Sequence, residues 1–339
     1  MASGKQGTSR QILSACLTYT TSSVLLSLTN KQLFSAGSAF DFPLSVLASQ
    51  AAGTVLLLRL GAASRVSSPV ALDTQLLRLL MPVTLLFATM LWTSSRALHY
   101  CSVPVVTVFK NLAVVCVCAY EHVVYAEPVP PLLLAALVCM LAGSAIAALG
   151  DLALDLVALR WLLLNVLCTV LHVAAIKAIT GATRASSASK TFHNQLLALA
   201  IFLAAAWARG ELPAFSGRLL AQSRTFQLGF ALSIVLGLTI NYASFWCLSV
   251  TSGTTYSFVG ASNKIPTALL GHLLFNSQLT ALGWAGVAFG LVAGLLYSVA
   301  KPEPRPPSEP GEPPERQAMI AELEEAPPAN GEARRLHAV

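Results

Sequence analysis

The stretch SGTTYSFVGASNKIPTALLGHLLFN, residues 252–276, carries one charged side chain, Lys264, with twelve residues on either side of it. A run of that length and composition is long enough to cross the hydrocarbon core of a bilayer as a helix, which takes about 20 residues. It puts an ammonium group near the middle of the crossing, where insertion costs about 2.5–3.5 kcal/mol. Tyr256, Gly260, Asn263, Lys264 and Thr267 recur at i, i+4, i+7, i+8 and i+11 and so share one face of the helix. That face offers a ring, a glycine open to close approach, an amide, a cation and a hydroxyl. Pro266 follows and predicts a bend, because it removes a backbone donor. The alternative is a helix-packing face with a proline kink.

The rest of the chain fits this reading. Of 339 residues, 55% are hydrophobic and 11% charged, where an ordinary soluble domain has about 25% charged, and the mean hydropathy is +0.68. A soluble globular protein is excluded. Apolar windows between breakers predict spans at 12–34, 43–60, 77–99, 102–124, 130–150, 157–180, 191–208, 226–249, 252–276 and 280–300. The expected fold is an all-α polytopic membrane protein of ten transmembrane helices. A short N-terminus, 1–11, precedes an uncleaved first helix, and no N-x-S/T sequon is present. Residues 301–339 hold 8 of the 15 acidic groups, 5 of the 21 basic groups and a run of prolines. Such a composition predicts a disordered tail.

Ten spans place both termini on one side of the membrane. Lys5, Arg10, Arg59, Arg65, Arg78, Lys177, Arg184, Lys190, Lys301 and Arg305 then fall on that side, against Lys31, Arg96, Arg160, Arg209, Arg218 and Arg224 on the other. The bias predicts cytoplasmic termini. Ten helices also divide into two five-helix repeats, 12–150 and 157–300, of opposite orientation, as in many secondary transporters. Lys110, in VPVVTVFKN, then stands in the fourth span of one half and Lys264 in the fourth of the other. Membrane-embedded carboxylates are scarce: Glu121, Glu127, Asp151 and Asp155 all fall near helix ends. Two buried cations without evident partners suggest an anionic ligand such as a phosphate ester or diphosphate; snorkelling to an interface is the alternative.

FHNQ, residues 192–195, supplies two neighbouring amides. Asn194 and Gln195 suit the edge of a purine base, since amide oxygens can accept from the ring N–H and exocyclic amine of guanine. Capping or interhelical hydrogen bonds would use the same residues. His99, His122, His172 and His272 are scattered and read as packing or interfacial groups. The seven cysteines lack metal-ligand or CxxC spacing and read as small apolar residues. Gly286, Gly290 and Gly294 form a small-xxx-small run for close helix packing, within the monomer or across a homodimer.

Four stretches carry a family resemblance: LTNK (28–31), TSSRALHYCSVPVVTVFKNL (93–112), FHNQ (192–195) and TTYSFVGASNKIPTALLG (254–271). Through them the chain resembles the nucleotide-sugar transporters of the drug/metabolite transporter superfamily, and among these the Golgi GDP-mannose transporters. GASNK is similar to that family's GALNK signature, with Ser262 in place of leucine. FHNQ is similar to its FYNN motif, with His193 and Gln195 as the departures.

The resemblance implies two inverted five-helix repeats working by alternating access. It also implies exchange of cytosolic GDP-mannose for lumenal GMP across the Golgi membrane, with no enzymatic activity, cofactor or nucleic-acid partner. Substrate-binding residues carried over are Lys110, Asn111, Asn194, Gln195, Tyr256, Gly260, Asn263 and Lys264. GDP-fucose or a UDP-sugar is the alternative substrate. A membrane transferase acting on lipid-linked sugars is the alternative class.

Overall fold

The computed structural model describes residues 8–35, 42–63, 71–101, 103–149, 156–183, 185–275 and 280–300. The predicted tail, Arg65, Asp151, Asp155 and Arg184 lie outside the described residues, as do the side chains of Lys31, His99 and His272. Twelve helices account for nearly all of the described chain: α1 Ser9–Ser35, α2 Pro43–Ala63, α3 Thr74–Tyr100, α4 Val103–Tyr125, α5 Pro131–Ala148 and α6 Leu156–Ala182, followed by α7 Ser187–Ala208, α8 Leu212–Leu220, α9 Arg224–Val250, α10 Gly253–Ser262, α11 Lys264–Phe275 and α12 Ala281–Ala300. Among the described residues, nine of them are long and apolar enough to cross a membrane. The ninth predicted span, 252–276, appears as two half-length helices, α10 and α11, joined through Asn263.

Local chemistry sets the starts of several helices. Asp73 caps α3, its Oδ1 accepting from the amides of Gln75 at 2.8 Å and Leu76 at 3.2 Å. Ser186, Ser223 and Ser252 do the same for α7, α9 and α10. Ser186 also moves the start of α7 upstream of the predicted 191, so that Asn194 sits two turns inside the helix rather than at its mouth. Gly210, at φ +69, makes the left-handed turn after α7.

The chain then forms α8, which the sequence reading left as a loop. Its Phe215 and Leu219 pack against the cluster of Leu33, Val46, Phe226 and Phe230, while Arg218 is exposed. Such a short helix has one apolar side and one wet side, as at a membrane surface.

The packing carries a symmetry. The most extensive contacts are α5 with α12, α1 with α9, α3 with α6 and α2 with α7, and α2–α9, α3–α7, α4–α6, α4–α10 and α1 with α10 and α11 are also substantial. Exchanging each crossing with the one five places on sends α1–α9 to α6–α3, α2–α9 to α7–α3, and α4–α6 to the α10–α11 pair on α1. The pairs α5–α12, α2–α7 and α4–α10 map onto themselves. These pairs follow the pattern expected of two related five-helix halves, whereas α4–α5 is extensive and its counterpart α11–α12 slight, and α7–α9 and α6–α9 have no comparable counterpart.

Large apolar side chains are exposed on the outer faces, among them Leu228, Leu295, Val299 and Trp207. Such faces meet lipid. Where helices touch closely, glycine permits it. A Cβ on Gly143 of α5 would stand 2.5 Å from the Cβ of Phe289, and one on Gly286 of α12 would stand 3.0 Å from the backbone oxygen of Gly143. Gly290 meets Ile265 of α11, whereas Gly294 has nothing within 4 Å. Gly286 and Gly290 therefore serve contacts inside the monomer. Gly143→Ala is expected to destabilise the protein by about 1–3 kcal/mol through overpacking, seen as a lowered melting temperature in detergent, whereas Gly294→Ala leaves it unchanged.

Candidate functional site

The interruption between α10 and α11 follows from the sequence around it. Pro266 has no N–H, so the carbonyl of Ser262, four residues earlier, loses its helical donor. The amide of Asn263 still donates to Val259 O at 3.0 Å, and its carbonyl receives the Thr267 hydroxyl at 2.8 Å. Asn263 keeps a right-handed backbone, φ −59 and ψ −19. The chain tightens by a fraction of a turn and continues, with Lys264 as the first residue of the second half-helix.

Several buried polar groups on α4, α10 and α11 have no partner among the described residues. The Lys264 ammonium is shielded and makes no hydrogen bond to any described residue, and the same holds for Asn263 Nδ2, Asn111 Oδ1 and Ser257 Oγ. Asn111 and Asn263 are only 6% and 4% exposed. Buried polar atoms are nearly always satisfied in a folded protein, so this group of orphans marks a place built for something else. Lys110, one residue before Asn111 on α4, is exposed yet close enough to Lys264 for the two cations to repel. Among the described residues the one ion pair is the peripheral Arg209–Glu211 contact at 3.8 Å, so no carboxylate neutralises either lysine.

Tyr256 and Gly260, two turns and one turn before Lys264 and on α10, meet a residue that sequence reading missed. The ring of Tyr19, on α1, lies 4.9 Å from that of Tyr256 at an interplanar angle of 35°. The Tyr19 hydroxyl is 3.0 Å from where a Cβ on Gly260 would be. Gly260 is thus the residue that lets α1 approach. The signal for Tyr19 was its setting in TYTTSS (18–23), a hydroxyl-rich run inside an apolar helix. The Tyr256 hydroxyl donates to Ser244 Oγ at 3.4 Å.

The FHNQ residues divide by role. Phe192 is buried with the Arg59 guanidinium 4.7 Å above its ring centre. His193 is a strut: Nδ1 donates to Ser189 O at 2.7 Å, which leaves Nε2 to accept from the Asp73 amide at 2.9 Å. It ties α7 to the capped start of α3. Asn194 Oδ1 takes the hydroxyl of Thr84, on α3, at 2.9 Å. Gln195 is buried. No described hydrogen bond joins either amide to α10 or α11. The link is an apolar cluster containing Leu80, Val83, Val173 and Leu248, against which both Leu197 of α7 and Tyr256 pack.

A second missed residue is Glu121. The sequence places it near a helix end, where a carboxylate is ordinarily solvated; here it is 4% exposed. It lies against the start of α10, with Oε1 accepting from the Gly253 amide at 2.5 Å and Oε2 from the Thr254 amide at 2.7 Å and hydroxyl at 2.6 Å. A carboxylate at a helix N-terminus meets both free donors and the positive end of the dipole. Glu121 is eleven residues from Lys110, three turns along one face of α4, which would have signalled it. Nearby, Lys177 donates to Thr251 O and the buried Lys190 to Thr180 O at 3.4 Å. Both cations, expected among the loop charges, stand instead on the carbonyls at helix C-termini. His172 donates through Nδ1 to Val83 O, 3.2 Å away, beside Phe87.

Comparison with known proteins adds the following. The model of the Triose-phosphate Transporter family matches residues 10–298. A GDP-mannose transporter of Yarrowia lipolytica is 30% identical over 84% of this chain and 92% of its own length. One of Komagataella pastoris is 30% identical over 84% and 88%, and one of Candida glabrata 32% over 65% and 72%. A solved crystal structure at 14% identity shares the fold with a TM-score of 0.61, covering 86% of this chain and 98% of that one.

The carboxylate cap yields a prediction. Glu121→Ala strips three donors at the start of α10 of their acceptor and is expected to lower the melting temperature, by the equivalent of about 3 kcal/mol as for other buried charge-assisted contacts. Glu121→Gln keeps one oxygen but turns an NH2 toward N–H donors, so it is expected to lie nearer to alanine than to wild type. Unchanged melting of both variants in detergent would remove the cap from the account.

Proposed function

The chain belongs to the triose-phosphate transporter family, and on that footing we propose that it exchanges cytosolic GDP-mannose for lumenal GMP across the Golgi membrane. The observation that carries the reading is the Lys264 ammonium, shielded and unpartnered at the helix interruption next to Asn263 and within reach of the charge of Lys110. Two cations held together inside a membrane repel each other until an anion joins them. A nucleoside diphosphate sugar has two phosphate charges, and a nucleoside monophosphate carries about −1.5 to −2 at neutral pH. Either ligand offsets the same pair of lysines, so exchange of one for the other leaves the site close to neutral at both ends of the cycle.

In this reading Lys264, Asn263, Asn111 and Lys110 take the phosphates and sugar, Tyr256 and Gly260 shape the wall that faces Tyr19, and Asn194 and Gln195 read the base. The two halves, 12–150 and 157–300, rock about the α2–α7 and α5–α12 contacts. The packing of α4 supports this: it lies along α10, held by Glu121, but has no comparable contact with α11. The passage is then shut on the side of Tyr125 and Gly253. With cytoplasmic termini that is the cytosolic side, and the open side faces the lumen. Membership in a transporter family sets aside the transferase reading, since the chemistry required is binding and release.

Counterflow in proteoliposomes tests the proposal. Vesicles loaded with GMP should take up GDP-mannose unchanged, and empty vesicles should not. Lys264→Ala should reduce uptake to near background while the melting temperature holds or rises, because deleting an unpaired buried cation relieves its burial cost. Uptake at the wild-type rate by Lys264→Ala, or trans-stimulation by UMP in place of GMP, contradicts the assignment.

A further inference from the structure

Thr84 decides which end of the Asn194 amide the ligand meets. Its hydroxyl lies within bonding distance of two acceptors, Leu80 O at 3.1 Å and Asn194 Oδ1 at 2.9 Å, and it has one hydrogen. The Leu80 carbonyl is already served in α3 by the backbone N–H of Thr84, four residues on. The Asn194 oxygen has no such provision. Asn194 is 7% exposed, and among the described residues Thr84 is its one hydrogen-bonding partner. With the hydroxyl hydrogen on Oδ1, the amide is fixed with its NH2 turned away from α3. Both N–H bonds of that group then lack a protein acceptor.

The related position in the other half is finished differently. Gln50 stands seven residues after Pro43, the first residue of α2, as Asn194 stands seven residues after Ser187, the first of α7. Gln50 also reaches a hydroxyl on the neighbouring helix, donating through Nε2 to Ser233 Oγ of α9 at 3.2 Å. It donates through the same nitrogen to Asn30 Oδ1 at 3.4 Å, and the Ser233 hydroxyl gives its hydrogen to Phe230 O at 2.7 Å. There the amide nitrogen is satisfied by protein. At Asn194 the same clamp leaves the nitrogen open.

We infer that Thr84 is a positioning residue for base selection: it holds Asn194 as a hydrogen-bond donor, so that the bound base must offer an acceptor, a ring carbonyl, at that point. The inference rests on the reading of Asn194 as a base contact. It reverses the assignment expected from sequence, in which Asn194 and Gln195 both present oxygens. A 6-oxopurine meets the requirement whether or not it carries the 2-amino group, so guanine and hypoxanthine are alike here. Adenine, with an amine at the same place, brings N–H against N–H and is refused. The 2-amino group is left to Gln195.

The test is competition by GMP, IMP and AMP against labelled GMP exchange in proteoliposomes. Wild type should accept GMP and IMP and discriminate strongly against AMP. Thr84→Val, nearly the same shape without the hydroxyl, frees the amide to turn and present its oxygen; the preference for GMP over AMP should fall about tenfold, the factor an ordinary buried hydrogen bond carries. Thr84→Ser should restore it, which a purely structural role for the methyl group would not. If Thr84→Val keeps the wild-type ratio while Asn194→Ala weakens GMP competition, the positioning role is wrong and the base contact stands. If Asn194→Ala leaves GMP competition untouched, the base-contact reading itself fails.

Discussion

A backbone that crosses hydrocarbon must satisfy its own polar groups, and besides the internal Pro82 of α3 this chain interrupts a crossing outright between α10 and α11. Between Ser262 and Lys264 the helix ladder is interrupted by Pro266, and the interruption coincides with a lysine whose ammonium finds no partner. Much of the surrounding structure answers to that. Glu121 and Ser252 secure the start of α10, where its first amides would otherwise be bare. Gly260 admits Tyr19 so that α1 covers one side, and Gly290 admits Ile265 so that α12 covers another. The interruption is tolerable because the neighbouring helices close on it everywhere except toward the space that Lys110 shares.

The division of labour between the two lysines follows from their surroundings. Lys264 is shielded, so its charge acts through a low-dielectric medium and is felt strongly by a bound anion. Lys110 keeps accessible surface. In the proposed exchange one shielded and one accessible cation suit a site that must both bind an anion and release it.

Most of the fold is legible in the sequence because membrane spans are written in bulk hydrophobicity. Nine of ten expected spans are single helices whose limits agree to within a few residues. The exceptions have local causes that bulk hydropathy does not record. The ninth span divides because one proline falls three residues after an asparagine. The helix α8 escaped notice because nine residues with one apolar side resemble a loop. The proposed site rests on charges and amides out of place in a membrane, Lys110, Lys264, Asn263 and Asn194, which the sequence alone displays. It was not legible where a residue's meaning depends on its partner. Glu121 reads as solvated until the start of α10 is seen against it, and His193 reads as part of a base-binding motif until its two nitrogens are found on Ser189 and Asp73.

That last case bears on how the departures in FHNQ can be tolerated. A histidine in place of the family's tyrosine does not disturb the neighbouring amide, because both of its nitrogens are engaged away from the ligand, on the α3 cap and on its own helix. The same strut fixes α7 against α3, and so fixes Asn194 against Thr84. The position of the base-reading amide therefore depends on the start of α3, through Asp73, as much as on α7 itself. Because α3 packs on both α6 and α7, any rocking of one half against the other that keeps this strut carries Thr84 and Asn194 together. In the proposed cycle this keeps the Asn194 amide in place while the contacts of α4 with α10 are the ones exchanged.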